Sequence, residues 1–462
     1  MNDWWKEVIE GIEAGDTVTI SPPDDFAGWT ARNFAEFLFQ IIQILRAQPY
    51  AFERLNFIAP QTGSDEQRAL YERLTRGFYK YLRVPMFQRR IWTEPKLDAE
   101  YVFVTNYDCN LECSYCIQRC KRVEPSTIDA QLKFFKALFE ADLSAGKIPD
   151  GGLIKFFCIG GEGFLHVDRL QHLVDGVHQI IGDRDVTLIF CVPTNGTLLL
   201  QPDVQDFILR NKKEIALNFS IDGLPEKHNA GRCNSYDAAV AGLEWAKTVL
   251  SNKRLKIKAT MTRADIPMYA AHCKHLLSLG VMKVRANFDV LEELPYEDSL
   301  ELAQQMIDAF EWIVDNDRLD FYHFDILGLR RNYNCYDRVL MKMEPWPTHG
   351  CTGWGSSKRV LGVDGKVYGC ENCAVNGHWP VGEWHEGEPV PDFIEQKNML
   401  AQTPEPCEDC PVKALCYTCA QVTTDPEWRK KRHPNCALVW ATTLLRLYMT
   451  VLFKKSLPFD AC

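Results

Sequence analysis

No apolar stretch of the sequence is both long and free of charge. The longest, ALVWATTLLRLYMTVLF (Ala437–Phe453), is short for a bilayer span and carries Arg446 near its middle. A charge at that depth is costly in lipid, so the stretch reads as a buried or docking helix and no membrane span is expected. Positive charge is also scarce: 52 Lys and Arg stand against 62 Asp and Glu, a net charge of −10. A general nucleic-acid binder needs a basic surface to neutralise phosphates, so nucleic acid is not an expected partner. The opening stretch, MNDWWKEVIEGIEAGD, has no basic start followed by an apolar core, and no secretory signal is expected. Internal repeats and low-complexity tracts are absent. Cysteine, by contrast, is abundant, with 18 in 462 residues. In the cytoplasmic location this pattern implies, disulfides are rare, and clustered cysteines point to metal ligands or catalytic groups.

The texture changes along the chain. Residues 1–95 read as a helical N-terminal region, with apolar residues at three- and four-residue spacing in FAEFLFQIIQILRAQ and EQRALYERLTRGFYKYL. This region lacks the run of strands of a winged-helix peptide clasp. It serves either packing or substrate gripping. Over residues 96–335, six short β-rich runs alternate with helical stretches, beginning at Tyr101–Asn106 and ending at KVRANFDV. Such alternation implies parallel βαβ units. Six strands fall short of a closed eight-stranded barrel, so the expected fold is α/β, an open partial (β/α)6 TIM-like barrel. Chemistry in such barrels gathers at the C-terminal ends of the strands. Residues 345–440 are rich in Gly, Pro, Trp and Cys. They read as a small cysteine-rich domain held by metal rather than by a large core. A C-terminal helix and tail, residues 441–462, complete the expected organisation.

The first cysteine cluster is NYDCNLECSYC, Asn106 to Cys116. Cys109, Cys113 and Cys116 can hold three irons of a [4Fe–4S] cluster, which usually takes four cysteines. The iron left without a protein ligand is then an open binding position, by the logic that separates catalytic from structural metals. The alternatives are a zinc site, or a ferredoxin-type site that borrows a distant cysteine, Cys120 being the nearest.

This Cys-x3-Cys-x2-Cys loop after the first barrel strand, with the aromatic Tyr115 before the third cysteine, resembles the radical S-adenosylmethionine enzymes. The resemblance implies that the open iron chelates the amino and carboxylate groups of S-adenosylmethionine. Reductive cleavage then yields a 5′-deoxyadenosyl radical that abstracts hydrogen from a substrate. Other residues match one by one. Gly160, Gly161 and Glu162 follow the second strand, as does the family's motif for the cofactor's amino group. Gly163 stands where the family often has Pro. Asn195, in TNGT, lies where the family approaches the ribose, or else simply forms a turn. Ser220 and Asp222, in SIDG, resemble ribose contacts, and Arg232 offers a planar fork for the methionine carboxylate. The family often has His-Asp where this chain has His228–Asn229, so one acidic contact is missing.

The C-terminal cysteines form a second pattern. Cys351 precedes Gly365 and Cys370; then come Cys407, Cys410, Cys416, Cys419 and Cys436. This resembles the SPASM extension, which implies two auxiliary [4Fe–4S] clusters and three clusters in all. By that resemblance Cys351, Cys370 and Cys419 hold the first auxiliary cluster. Cys407, Cys410, Cys416 and Cys436 hold the second. The gap before Cys419 is two residues where the family has three. Cys373, in CENC, either completes the first auxiliary cluster or leaves it with an open iron.

Enzymes with this extension imply a peptide or small-protein substrate and a low-potential electron donor such as flavodoxin or ferredoxin. Thioether or carbon–carbon crosslinking of a ribosomally made peptide is the expected reaction. Formylglycine formation and small-molecule dehydrogenation are the alternatives, and a non-catalytic electron carrier is the competing class. A sulfatase-maturing relative would place Asp directly after Cys370. Glu371 stands there, either as a catalytic base or as a surface residue on a turn.

Overall fold

The computed structural model describes residues 4–22, 25–47, 54–81, 97–116, 118, 127–289, 292–316, 359–377, 379–391, 405–412, 427, 430 and 435–453. Among the described residues, the N-terminal region contains helices α1 (Trp4–Glu13), α2 (Ala31–Ala47) and α3 (Asp65–Tyr81). It also holds two short strands that the periodicity does not show. Strands β1 (Val18–Ile20) and β2 (Leu55–Phe57) pair in parallel between the helices. Three-residue strands are too short to leave a period in the sequence.

Next come β3 (Ala99–Asn106), α4 (Ile128–Ser144), β4 (Gly152–Gly160), α5 (Val167–Ile181), β5 (Val186–Thr194), α6 (Pro202–Arg210) and β6 (Ile215–Ser220). They are followed by α7 (Pro225–Gly231), α8 (Tyr236–Val249), β7 (Leu255–Met261), α9 (Tyr269–Ser278), β8 (Lys283–Phe288) and α10 (Ser299–Asp315). Strands β3 to β8 form one sheet in sequential order, every neighbouring pair parallel. This is the open six-stranded α/β half-barrel that the alternation predicts.

Residue parity assigns the two faces of the sheet. Phe103, Phe156, Phe190, Leu217, Ile257 and Val284 are buried in the main core, together with helix residues such as Phe135, Leu173 and Leu276. Stacked rings join three strands there: Phe156 lies 6.0 Å from Tyr101 and 4.9 Å from Phe190. Aromatic pairs at such spacing add to the burial of their area. Alternate residues, including Glu100, Val102, Lys155, Asn218, Lys258 and Arg285, belong to the opposite, inner face.

The inner face at β3 and β4 is covered by the cysteine-rich segment. Strands β9 (Val360–Leu361), β10 (Lys366–Tyr368) and β11 (Gly382–Glu383) form an antiparallel sheet, and helix α11 (Glu371–Asn376) follows β10. Val102, Val104 and Ile159 are buried against Val360, Tyr368, Cys370 and Cys373. Gln131 on α4 stitches this contact. Its Oε1 accepts from the Val104 N–H at 3.4 Å, and its Nε2 donates to the Leu361 carbonyl at 3.0 Å.

Helix α12 (Cys436–Phe453) spans the apolar run Ala437–Phe453 that reads as a buried or docking helix and begins one residue before it. Cys436 is therefore its first residue rather than part of a preceding loop. The helix packs against α2, α3 and α10; Tyr448 lies 5.8 Å from Phe78 on α3 and 6.2 Å from Phe310 on α10. The two ends of the chain thus share one core, which explains why this run is apolar almost all round. Among the described residues, no helix is long and apolar enough to cross a membrane.

Gln131→Leu is expected to leave the Leu361 carbonyl unsatisfied and to cost about 1–3 kcal/mol. The checks are a lowered urea midpoint and earlier proteolysis of the segment that begins near β9.

Candidate active site at the strand ends

The cysteine loop leaves β3 at an irregularity in the ladder between Val104 and Asn106. Such irregularities re-aim side chains at strand ends. Asn106 is buried, and its Nδ2 donates to the carbonyls of Asp108 (2.9 Å) and Glu162 (3.0 Å). The Glu162 and Gly161 N–H groups return bonds to the Asp108 and Asn106 carbonyls at 2.7 and 2.9 Å. No side chain fits here. A Cβ on Gly160 would meet the Asn106 oxygen at 2.0 Å, and one on Gly161 the Asp108 oxygen at 1.9 Å. Gly160 also has φ +146, a conformation open to glycine. The close approach that these glycines permit is thus to the root of the cysteine loop.

Glu162 lies 1% exposed. It accepts from the Thr194 hydroxyl at 2.8 Å, the Asn195 N–H at 2.7 Å and the Phe164 N–H at 3.4 Å. Burial pushes its carboxyl up to about 7 against these donors. Asn195 forms the turn that its sequence allows, its Oδ1 accepting from the Thr197 N–H at 3.0 Å. It also reaches the cysteine loop, donating to Asn110 Oδ1 at 2.8 Å.

Asp222, just past β6, is fully buried. Arg232 donates to it through Nε at 2.6 Å and Nη2 at 3.3 Å. The Thr260 N–H on β7 donates at 2.8 Å, and the Tyr115 hydroxyl donates as well. The remaining arm of Arg232, Nη1, points at the Cys113 sulfur at 3.7 Å. The guanidinium also lies 5.3 Å from the Tyr115 ring centroid, and that ring sits against Gly231. The Ser114 N–H donates to the Gly231 carbonyl at 3.1 Å. Ser220 ends β6, half-buried, two residues before Asp222.

His228 is buried and serves as a brace. Its Nδ1 accepts from the Asp222 N–H at 3.3 Å, and its Nε2 donates to Ser235 Oγ at 3.0 Å. Ser235 in turn donates to the Arg232 carbonyl at 2.7 Å. These roles need the neutral ring, and burial lowers its pKa to about 4.

Cys109, Cys113 and Cys116 are half-buried on this loop. Burial raises the Cys113 thiol, and Arg232 opposes that shift. Among the described residues, no three His, Cys, Asp or Glu side chains converge as ligands of one ion. Thiolates of a cubane each hold a different iron and so need not converge. Thr194, in TNGT, and His228 stand in motifs that the sequence shows, whereas the parts of Asn106, Asn110, Thr260 and Ser235 went unnoticed there. Cys233, one of the cysteines outside both clusters, is exposed at φ +55, and its sulfur accepts from the Glu112 N–H at 3.4 Å. The available signal was polar residues at the ends of apolar strands.

Of the C-terminal cysteines, Cys351, Cys416 and Cys419 lie outside the described residues, as does Cys120. Cys370 and Cys373 are buried side by side. A hydrogen bond from the Cys373 thiol holds Cys370 below the ordinary thiol range, with burial and Glu371 opposing. Glu371 itself opens α11, half-buried. Cys407 and Cys410 share a turn, the Cys410 N–H donating to the Cys407 carbonyl at 3.1 Å. Cys410 and Cys436 both pack against the main core.

This architecture defines an open α/β half-barrel with its polar residues gathered at the strand ends. The same fold occurs in solved structures of anSMEcpe. With bound AdoMet, that protein aligns at TM-score 0.55 and 18% identity, covering 78% of this chain and 99% of the other. With bound AdoMet and the Cp18Cys peptide, it aligns at TM-score 0.53 and 18% identity, covering 77% and 96%. No family model matches the sequence, and no curated protein does.

Two outcomes are expected. Asp222→Ala should cost about 3–5 kcal/mol in denaturant unfolding, because it strands the Arg232 charge in a buried site. Adding Arg232→Met should recover part of that loss. Glu162 has a raised folded pKa, so its proton stabilises the fold below about 4.5, and that stability is lost as pH rises to about 7. His228 titrates with the opposite sign over an overlapping range, so the test is a difference. Metal-free wild type should lose about 3 kcal/mol more than Glu162→Gln between these limits.

Proposed function

We propose that this chain is a radical S-adenosylmethionine enzyme acting on a peptide. The observation that carries the reading is the convergence of Glu162, Asn195 and Asp222, from the ends of β4, β5 and β6, and of Arg232, from the end of α7, on the loop of Cys109, Cys113 and Cys116. An electron carrier has no use for that set.

The residues suit the implied groups. Three thiolates on one loop can hold a [4Fe–4S] cluster with one open iron. When bound, the cluster and S-adenosylmethionine supply one-electron cleavage of the sulfonium to methionine and a hydrogen-abstracting 5′-deoxyadenosyl radical. Glu162 is a buried carboxylate without an adjacent side-chain cation among its hydrogen-bond partners, so an ammonium beside it would restore its ionised form. Arg232, held flat by Asp222 and Tyr115, presents one arm toward Cys113 and is placed to meet a carboxylate there. Tyr115 and Asp222 fix that arm, and Ser220 and Asn195 are proposed to meet the ribose. The fold is shared with a protein solved with AdoMet and a peptide together, which favours a peptide over a small molecule.

The auxiliary sites are proposed as two further clusters, on Cys351, Cys370, Cys373 and Cys419 and on Cys407, Cys410, Cys416 and Cys436. Crosslinking of the peptide is the proposed reaction, Glu371 is the proposed base, and a flavodoxin or ferredoxin is the proposed donor.

The test is anaerobic reconstitution with iron and sulfide, then S-adenosylmethionine and dithionite. 5′-Deoxyadenosine is expected, along with about twelve irons per chain. Cys109→Ala should abolish the product and leave about eight irons. Absence of 5′-deoxyadenosine from the fully loaded wild type would sink the proposal.

A further inference from the structure

Arg232 caps the end of helix α7, so whatever fixes α7 also fixes the arm that faces Cys113. The helix is short, and its first turn carries a charge of the wrong sign. Lys227 is its third residue, and a cation there meets the positive end of the helix dipole. The side chain is only 11% exposed, so it is not a solvated surface lysine.

Its partner comes from the loop after β7. Lys227 Nζ lies 2.9 Å from Asp265 Oδ2, and the Asp265 side chain is 13% exposed. The same oxygen accepts from the Thr262 N–H at 2.6 Å and from the Thr262 hydroxyl at 2.8 Å. The other oxygen faces His272 Nε2 at 3.8 Å. His272, on α9, accepts from the Leu224 N–H through Nδ1 at 3.2 Å. A Cβ on Gly223, whose φ is +110, would meet that Nδ1 at 2.6 Å. The turn after Asp222 and the start of α7 are therefore both held from the side of β7 and α9.

Lys227 also reaches the cysteine loop. Its Nζ lies 6.0 Å from the Tyr115 ring centroid, and the Arg232 guanidinium lies 5.3 Å from the same centroid. One ring thus meets two cations while its hydroxyl donates to Asp222. Burial lowers the pKa of His228 and His272, and Lys227 lowers both further, which favours the neutral rings that their bonds need.

A nearly buried ion pair adds little net stability, because desolvation offsets the attraction. We propose that this one acts on geometry: Lys227, through Asp265, is a positioning residue that holds α7 and Tyr115 so that Nη1 of Arg232 meets the carboxylate of S-adenosylmethionine. This rests on the proposed function, which puts that carboxylate beside Arg232. Lys227 acts through Arg232 and Tyr115, its own charge being taken up by Asp265. Loss of Lys227 should therefore weaken only ligands that carry the carboxylate.

The experiment is anaerobic titration calorimetry on the cluster-loaded full chain. The two probes are S-adenosylmethionine and its decarboxylated analogue, which keeps the amine, the sulfonium and the adenosine. Wild type should prefer S-adenosylmethionine. Lys227→Met should weaken S-adenosylmethionine about fivefold or more and leave the analogue within about twofold. Lys227→Arg should retain wild-type affinity. In an Arg232→Met background, Lys227→Met should cause no further loss, because the two residues act through one arm. Lys136→Met, in an exposed pair with Glu140, should change neither affinity. Iron content and the urea midpoint are measured on each variant, and Lys227→Gln takes the place of Lys227→Met if the latter does not fold.

An equal loss for both probes would mark Lys227 as merely structural and overturn the inference. Full additivity with Arg232→Met would overturn it as well, since Lys227 would then make a contact of its own. If wild type binds S-adenosylmethionine and forms 5′-deoxyadenosine while Lys227→Met binds as tightly, the positioning role alone falls. If wild type binds neither probe and forms no 5′-deoxyadenosine, the enzymatic reading falls and takes the inference with it.

Discussion

A single buried carboxylate ties the site together. Asp222 receives Arg232, the Thr260 N–H and the Tyr115 hydroxyl at once. Through these bonds the end of β6, the strand β7, the helix α7 and the cysteine loop share one anchor. Removing an ion pair from water is expensive, and such a pair is kept only where its hydrogen bonds are nearly complete. Here they are complete enough to set Arg232 beside Cys113. The neutral His228–Ser235 brace fixes the backbone on both sides of the pair without adding charge.

A second constraint acts at the other edge of the site. The glycines after β4 admit the backbone of residues 106–108, and Glu162 then gathers the turn after β5. The cysteine loop is therefore held between two buried carboxylates of opposite character. Asp222 is matched by a guanidinium, whereas Glu162 is matched only by neutral donors. That asymmetry is the chemical basis for assigning an incoming cation to the Glu162 side and an incoming anion to the Arg232 side.

Much of the fold was legible in the sequence because parallel βαβ units leave long, repeated patterns. β-Branched and aromatic runs alternate with amphipathic helices, and each leaves its own period. The N-terminal strands β1 and β2 were not legible, being too short for a period. The run that forms α12 was legible because it is long and apolar. Gly160, Gly161, Glu162, Asp222 and Arg232 could be picked out as chemical candidates because they follow strands in motif-like groups. Their mutual partners could not be found that way. Asn110 and Asn195 are far apart in the chain, and so are Tyr115 and Asp222.

By itself the sequence determined the residue types available for chemistry, the sequential strand order and the acidic overall charge. All three depend on local composition and period. Tertiary structure decided which groups meet. It paired Arg232 with Asp222, turned the glycines toward the loop root, set Cys370 and Cys373 against the inner face of β3 and β4, and placed four cations opposite one another on β7 and β8. Those outcomes depend on register and burial, which arise only when distant segments pack against one another.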